Sequence, residues 1–205
     1  MFIDFEGMKP TDIYHVLTQT AIPRPVAWVL SENPDGGYNL APFSFFTPIT
    51  SNPPLVMLSV GHKPTDKTNK DTRVNIEQRK DFVLHIAHRE LAGAVTETSR
   101  TLPLGESELD DLGLELVSFS GSRLPRLKDC RVAMACELEE IKEIGAGPQS
   151  LIFGRVKGVY LDDTVTAEDD KGRLKIRGDA IDPIGRLGGS EYVTFGEILK
   201  IPRPS

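Results

Sequence analysis

Val26-Ala27-Trp28-Val29-Leu30-Ser31-Glu32-Asn33-Pro34-Asp35-Gly36-Gly37-Tyr38-Asn39-Leu40-Ala41-Pro42-Phe43-Ser44-Phe45-Phe46 is the stretch on which the fold turns. Its first five residues form an apolar run of strand length. Pro34 and the Gly36-Gly37 pair then supply turn chemistry, and Tyr38 to Phe46 reads as the returning strand, so the whole predicts a β-hairpin. Upstream, Thr11 is an N-cap type ahead of Ile13, Val16 and Leu17 at helical spacing, which predicts a short helix near 11–19 that Pro23 and Pro25 end. Downstream, Pro53-Pro54 leads into Leu55-Val56-Met57-Leu58-Ser59-Val60, a second apolar strand stopped by Gly61. Gly36 to His62 carries no charged residue. That length is enough for a membrane span, but Pro42, Pro48, Pro53 and Pro54 exclude a regular helix, leaving a buried or site-lining stretch.

Further along, Lys70 to Arg79 predicts a helix with Asp71 or Thr72 near its start, and Phe82 to Ala87 a strand. Arg89 to Ser99 predicts another helix, Asp110-Asp111-Leu112-Gly113 a loop, and Leu114 to Ser118 a weak strand. Val132, Met134, Cys136 and Leu138 alternate with Ala133, Ala135, Glu137 and Glu139, the period of a strand with one wetter end. Leu151 to Leu161 is a further strand, with Gly154 and Gly158 as bulge or bend points. Arg173 to Arg186 reads as a surface excursion and Tyr192 to Leu199 as a last strand or helical turn. Many strands with short helical inserts predict a mainly β fold, a closed or nearly closed antiparallel barrel, since closure removes exposed edges. Without repeats or long linkers, residues 1–205 are expected to form one domain.

The 205 residues hold 24 Lys and Arg against 30 Asp and Glu, a formal net charge of −6. That balance argues against a nucleic-acid partner, which needs a surplus of cations. Cys130 and Cys136 have neither a C-x-x-C nor a zinc spacing, and the acidic start Asp4-Phe5-Glu6 is unlike a secretory signal, so a reduced cytoplasmic setting without membrane attachment is expected. No G-x-S-x-G, P-loop, H-E-x-x-H or G-x-G-x-x-G is present. Hydrolase, NTPase, zincin and Rossmann chemistry therefore lack their usual residues. His85 and His88 form an H-x-x-H, but an odd separation along a strand points the rings to opposite faces, so no metal site is expected.

Two segments carry the functional signal. Asn39 to Phe46 mixes an amide, hydroxyl and small residues with aromatics, a surface suited to a flat heteroaromatic ring. His62 to Arg73 holds four Lys or Arg against two Asp and runs into a helix N-terminus, where free N–H groups and the macrodipole attract an anion. Lys70 and Thr72 offer a charge and a hydroxyl there. A ring-sized lining beside a phosphate-suited helix start points to a ligand with both parts, such as a flavin mononucleotide. Gly185-Arg186-Leu187-Gly188-Gly189-Ser190-Glu191-Tyr192 adds an Arg and a Tyr beside glycines that permit tight backbone paths.

Pro23-Arg24-Pro25-Val26-Ala27-Trp28-Val29, the Asn39 to Phe46 segment, Lys70-Asp71-Thr72 with Asn75-Ile76, and Gly185 to Gly189 occur in this order. On these motifs the chain resembles the flavin reductase-like family of FMN-binding split-barrel proteins, which includes flavoredoxins. The resemblance runs from about Ala21 to Pro202, and the middle from Leu91 to Arg131 adds little to it. It implies a six-stranded antiparallel Greek-key split barrel with peripheral helices, forming a homodimer that binds FMN near the subunit interface. Asn39, Ala41, Pro42 and Ser44 would meet the isoalloxazine edge, Ser59 and Gly61 would line the ribityl path, and Lys70 and Thr72 would hold the phosphate. Arg24 and Arg186 join them as further cofactor contacts, Arg186 across the dimer interface. The chain departs from the family at Phe82-Val83-Leu84-His85, where relatives commonly read F-V-V-N, so a titratable ring stands in place of an asparagine contact.

The activity implied is an NAD(P)H:flavin oxidoreductase, with NAD(P)H as transient donor. The cofactor supplies the chemistry, and no side chain is assigned as catalytic. A monooxygenase or another electron acceptor would be the partner. The alternatives are a flavoredoxin-like electron carrier without nicotinamide turnover and a non-redox barrel for another phosphorylated aromatic ligand.

Overall fold

The computed structural model describes residues 1–205 apart from 104, 105, 110, 111, 148, 203 and 205. Seven strands build the main sheet: β1 (Ala27–Glu32), β2 (Tyr38–Phe43), β3 (Phe46–Ser51), β4 (Pro54–Val60), β5 (Asp81–Ile86), β6 (Val132–Ile144) and β7 (Gln149–Leu161). Their spatial order is β2-β1-β5-β6-β7-β4-β3, antiparallel throughout. The expected six strands are thus seven, and among the described residues no ladder closes the sheet into a barrel. The Tyr38–Phe46 strand breaks at Ser44-Phe45, and the chain passes from one edge of the sheet directly to the other, β2 and β3 being those edges. A two-residue link joins the rims where a closed barrel would have hydrogen bonds. Pro42 and Pro48, each without an N–H, sit in these edge strands, where a missing donor leaves no gap in a ladder.

Helix α1 (Pro10–Thr20) starts on a proline suited to the first turn and lies at the surface, with Tyr14 and Leu17 exposed. Helix α2 (Asp71–Arg79) fills the connection from β4 to β5, and α3 (Ala92–Glu97) follows a 3₁₀ turn at Arg89–Leu91. The predicted last strand shrinks to Tyr192–Val193, which pairs with Gly185–Arg186 and through it with Arg24–Pro25. The weak strand is the short Leu116–Val117, and Leu174–Ile176 is the exposed part of the expected excursion. In the predicted loop, Asp110 and Asp111 lie outside the described residues, and Leu112-Gly113 is a turn.

The period-two alternation of β1 and β5 separates two cores. Ala27, Val29, Phe82 and Leu84 face inward with Phe43, Phe46, Leu58, Ile152 and Ile76 of α2. Trp28, Leu30 and Val83 face outward and are covered by Val95 of α3 and by Phe119, Leu124 and Leu127. Cover on both faces leaves β1 buried almost throughout and explains why Val26–Leu30 reads as an unbroken apolar run. The Trp28 indole N–H donates to Thr98 Oγ1 at 2.8 Å, fixing the end of α3 over the sheet. Register shifts fall beside Gly154 and Gly158, as expected of them. A Cβ on Gly154 would come within 2.4 Å of Phe82 Cζ, so this glycine makes room for that ring.

Candidate functional site

Edge strand β2 and the start of α2 lie side by side, and the segment after α3 closes over them. Between these elements is a cleft that Asn39, Ala41, Pro42, Lys70, Thr72 and Glu108 help to line, together with the run Thr98 to Leu102. Lys70 is extended (φ −65°, ψ 149°) and immediately precedes α2, whose first N–H groups have no side-chain cap. Its ammonium lies 5.6 Å from the Phe43 ring centre. Burial holds the Lys70 ammonium below the usual lysine range, and among the described residues it has no carboxylate partner. A half-buried cation beside free helix N–H groups is the electrostatic complement of an anion.

Thr72 is almost fully buried, and its Oγ1 accepts a hydrogen bond from Asn39 Nδ2 at 2.9 Å. The neighbouring charges are spoken for. Lys63 pairs with Asp71 at 2.7 Å, and Arg73 reaches Glu77 at 2.6 Å and Ser150 Oγ at 3.2 Å, anchoring α2 on β7. Of the basic run, Lys70 alone is both half-buried and in the cleft without an ion-pair partner among the described residues.

A second hollow shares Pro42 and Ser99 with the first and adds Tyr14, Val26, Ser44, Thr96, Arg186 and Tyr192. Here the Arg186 guanidinium lies 4.6 Å from the Tyr192 ring centre and donates to the Gly189 carbonyl. Arg24 is the cross-strand partner of Arg186, but its guanidinium is engaged by the carbonyls of Thr18, Ala21 and Leu187 and by Ser44 Oγ. It ties α1 and the Leu187 turn to the sheet.

Asn39, Ala41, Pro42, Lys70 and Thr72 are therefore brought together, while Ser44 and Arg186 line the adjoining hollow. Ser59 and Gly61 line neither. The Ser59 N–H donates to the Phe45 carbonyl at 2.8 Å, and the Gly61 Cα faces the Gln149 side chain. His85 is also away from the cleft, in the outer core. Its Nδ1 contacts the Trp28 carbonyl at 3.1 Å and its Nε2 accepts the Leu127 N–H at 3.0 Å, which fixes a neutral ring protonated on Nδ1. Burial lowers its pKa to about 4, and the ring is a buried strut between β1 and the Leu127 backbone.

Sequence reasoning missed Glu108 and the Thr98 to Leu102 run, both inside the stretch that carried little resemblance. Glu108 Oε2 accepts the Leu40 N–H at 3.0 Å, and burial pushes its carboxyl above the usual range, with Asp71 adding to the rise. The signal available was Thr98-Ser99-Arg100-Thr101, three hydroxyls and a cation directly after a helix. Among the described residues no group of His, Cys, Asp and Glu could hold a metal ion.

The family model for the flavin reductase like domain matches residues 19–175. The chain belongs to that family. YwrF of Bacillus subtilis is 35% identical over 204 residues, which cover 98% of this chain and 97% of that protein. Component B of nitrilotriacetate monooxygenase from Bacillus cereus superposes with a TM-score of 0.88 at 33% identity, covering 98% of each chain. The 2-nitrobenzoate 2-nitroreductase NbaA of Pseudomonas fluorescens gives 0.87 at 28% identity over 100% of this chain and 96% of its own. Of what a flavin reductase like chain has to bind, the residues here fit the anionic tail. The cleft holds a hydroxyl and a half-buried ammonium at a helix start, the ammonium without a carboxylate partner among the described residues. Beyond Pro42 the cleft continues into a hollow with aromatic walls.

Proposed function

We propose that residues 1–205 work as one domain that binds FMN and reduces it with NAD(P)H. The observation that carries this reading is Lys70, a cation kept half-buried in a cleft with no carboxylate partner among the described residues. Lys70, the Thr72 hydroxyl and the first N–H groups of α2 would hold the phosphate by charge-assisted hydrogen bonds. Ala41 and Pro42 would guide the chain of the ligand past the waist, and Ser44 with Arg186 would meet the ring in the second hollow. When bound, FMN would take two electrons and a proton as hydride from the reduced nicotinamide, which leaves as NAD(P)⁺. The protein's part is to bind, orient and shield.

A B component of a monooxygenase among the similar structures supports a second protein as acceptor of the reduced flavin. Exposed apolar residues beside the second hollow, Tyr14 and Phe45, support a homodimer that covers it. No helix in the described residues is long and apolar enough to cross a membrane, and Cys130 and Cys136 are unpaired and buried, with thiols pushed up to about 12. Inert, reduced thiols fit a cytoplasmic protein.

The test is a flavin titration followed by anaerobic addition of NADH or NADPH. Quenching of FMN fluorescence and bleaching of its visible bands on catalytic turnover is the expected result. Tight flavin without nicotinamide oxidation would leave an electron carrier instead. Failure to bind any flavin would turn the assignment to a non-redox barrel for another phosphorylated aromatic ligand.

A further inference from the structure

Behind the cleft a row of buried polar side chains runs from the β1–β2 turn to the start of α2. Asn75 Nδ2 donates to Asn33 Oδ1 at 2.8 Å and to Ser31 Oγ at 3.2 Å, and Asn39 Nδ2 donates to Thr72 Oγ1 at 2.9 Å. Asn39 is 3% exposed, Thr72 1%, and Ser31 and Asn75 are fully buried. Among the described residues nothing accepts the Thr72 hydroxyl proton, and Thr72 lines the cleft beside Lys70. A hydroxyl oxygen that receives an amide N–H turns its own proton away from that amide.

We propose that Asn39 is a positioning residue that sets the polarity of the Thr72 hydroxyl, so that Thr72 presents a donor to the ligand's phosphate. This rests on the FMN reading above and reassigns Asn39 from the ring edge to the anionic end. The consequence is selective. A phosphate with acceptor oxygens only gains from a fixed donor next to an ammonium, whereas a ligand ending in a hydroxyl gains little. Asn39 therefore contributes to preference for FMN over riboflavin and not to affinity for the ring.

The experiment measures the dissociation constants of FMN and riboflavin by fluorescence for the wild type, Asn39→Asp, Thr72→Val and the double variant. An aspartate of the same shape accepts the Thr72 proton and turns it inward. Expected are a fall of about tenfold or more in the FMN-to-riboflavin preference for Asn39→Asp with riboflavin binding kept, and a smaller fall when Thr72→Val has already removed the hydroxyl. Asn39→Leu, which adds no charge, separates polarity from repulsion and should lower the preference in the same sense. An unchanged ratio in Asn39→Asp, an equal loss with and without the Thr72 hydroxyl, or equal losses for both ligands overturns the proposal while the FMN reading stands. A wild type that binds riboflavin as tightly as FMN, or neither, overturns both.

Discussion

Lys70 and Thr72 approach one cleft from positions two apart at a helix start, and each contributes something the other cannot: a charge and a hydroxyl. Charge-assisted hydrogen bonds are worth about 1.5–3 kcal/mol each, so Lys70→Ala with Thr72→Ala should weaken FMN by about 100-fold or more and riboflavin hardly at all. A flavin titration checks this, and an unchanged FMN constant would remove both residues from the site. His85 poses the opposite case, a titratable ring far from the ligand. Its pKa falls from 6.5 to about 4 because burial disfavours the cation. The unfolded chain therefore binds the extra proton first as pH drops. Stability from His85 is complete above about pH 6.5 and is lost towards pH 4, on the order of 3 kcal/mol in all. His85→Gln, which offers an amide donor and acceptor in place of the ring nitrogens but cannot ionise, should flatten the acid limb of the urea-denaturation profile. Equal acid sensitivity in both proteins would mean that His85 is not the group responsible. The sequence identified Lys70 and Thr72 because a helix start is a local pattern. It missed Glu108, whose part depends on the Leu40 N–H, which is far away in the chain.

At the scale of elements, long-range fit decides what local pattern leaves open. Gly154 sits at a register shift in β7, and a methyl there would meet Phe82 of β5 across the inner core at 2.4 Å. Overpacking of this kind costs about 1–3 kcal/mol, so Gly154→Ala should lower the stability measured by denaturant unfolding by that amount. Adding Phe82→Leu should recover part of the loss, and simple additivity of the two changes would rule the contact out as the cause. The glycine was legible as a bend, its ring partner was not. The same division holds elsewhere. Although neither helix takes a side-chain cap, Lys9 standing at the cap of α1 in place of the expected Thr11 and Lys70 at that of α2, helices α1 and α2 and strands β1, β4 and β5 follow from periodicity and proline punctuation. The break at Ser44-Phe45 does not, because an apolar stretch keeps its pattern when it changes edge and only the pairing of β3 with β4 reveals it. Strands β6 and β7 extend to 13 residues each because mutual pairing carries them past the point where their alternation fades.

Over the whole molecule, five separate stretches of chain meet at the cleft: β2, Lys63 after β4, the start of α2, the segment after α3, and Glu108. No window of sequence contains that assembly: Asn39 to Phe46 and His62 to Arg73 stand out by their residue chemistry, while the segment after α3 and Glu108 join them only through the fold. The same view exposes an imbalance. Tyr14 is 55% exposed, Leu17 47%, Phe45 37% and Ile49 49%, and the Tyr14 and Phe45 rings lie 6.2 Å apart at the rim of the second hollow. Adjacent exposed aromatic and aliphatic groups at the mouth of a ligand site are the pattern of an interaction surface. A stable interface buries about 800 Å² on each partner, and the further exposed groups at both chain ends, Phe2, Leu199 and Ile201, add to what a second copy could cover. Light scattering should accordingly give twice 22.6 kDa, about 45 kDa, in dilute buffer. Tyr14→Asp combined with Phe45→Asp should shift the mass towards the single chain and weaken FMN, because the hollow beside Ser44 and Arg186 would then stand open to water. A wild type of single-chain mass at the concentrations used for flavin titration would show that one copy completes the site alone, and the double variant would then bind FMN as the wild type does.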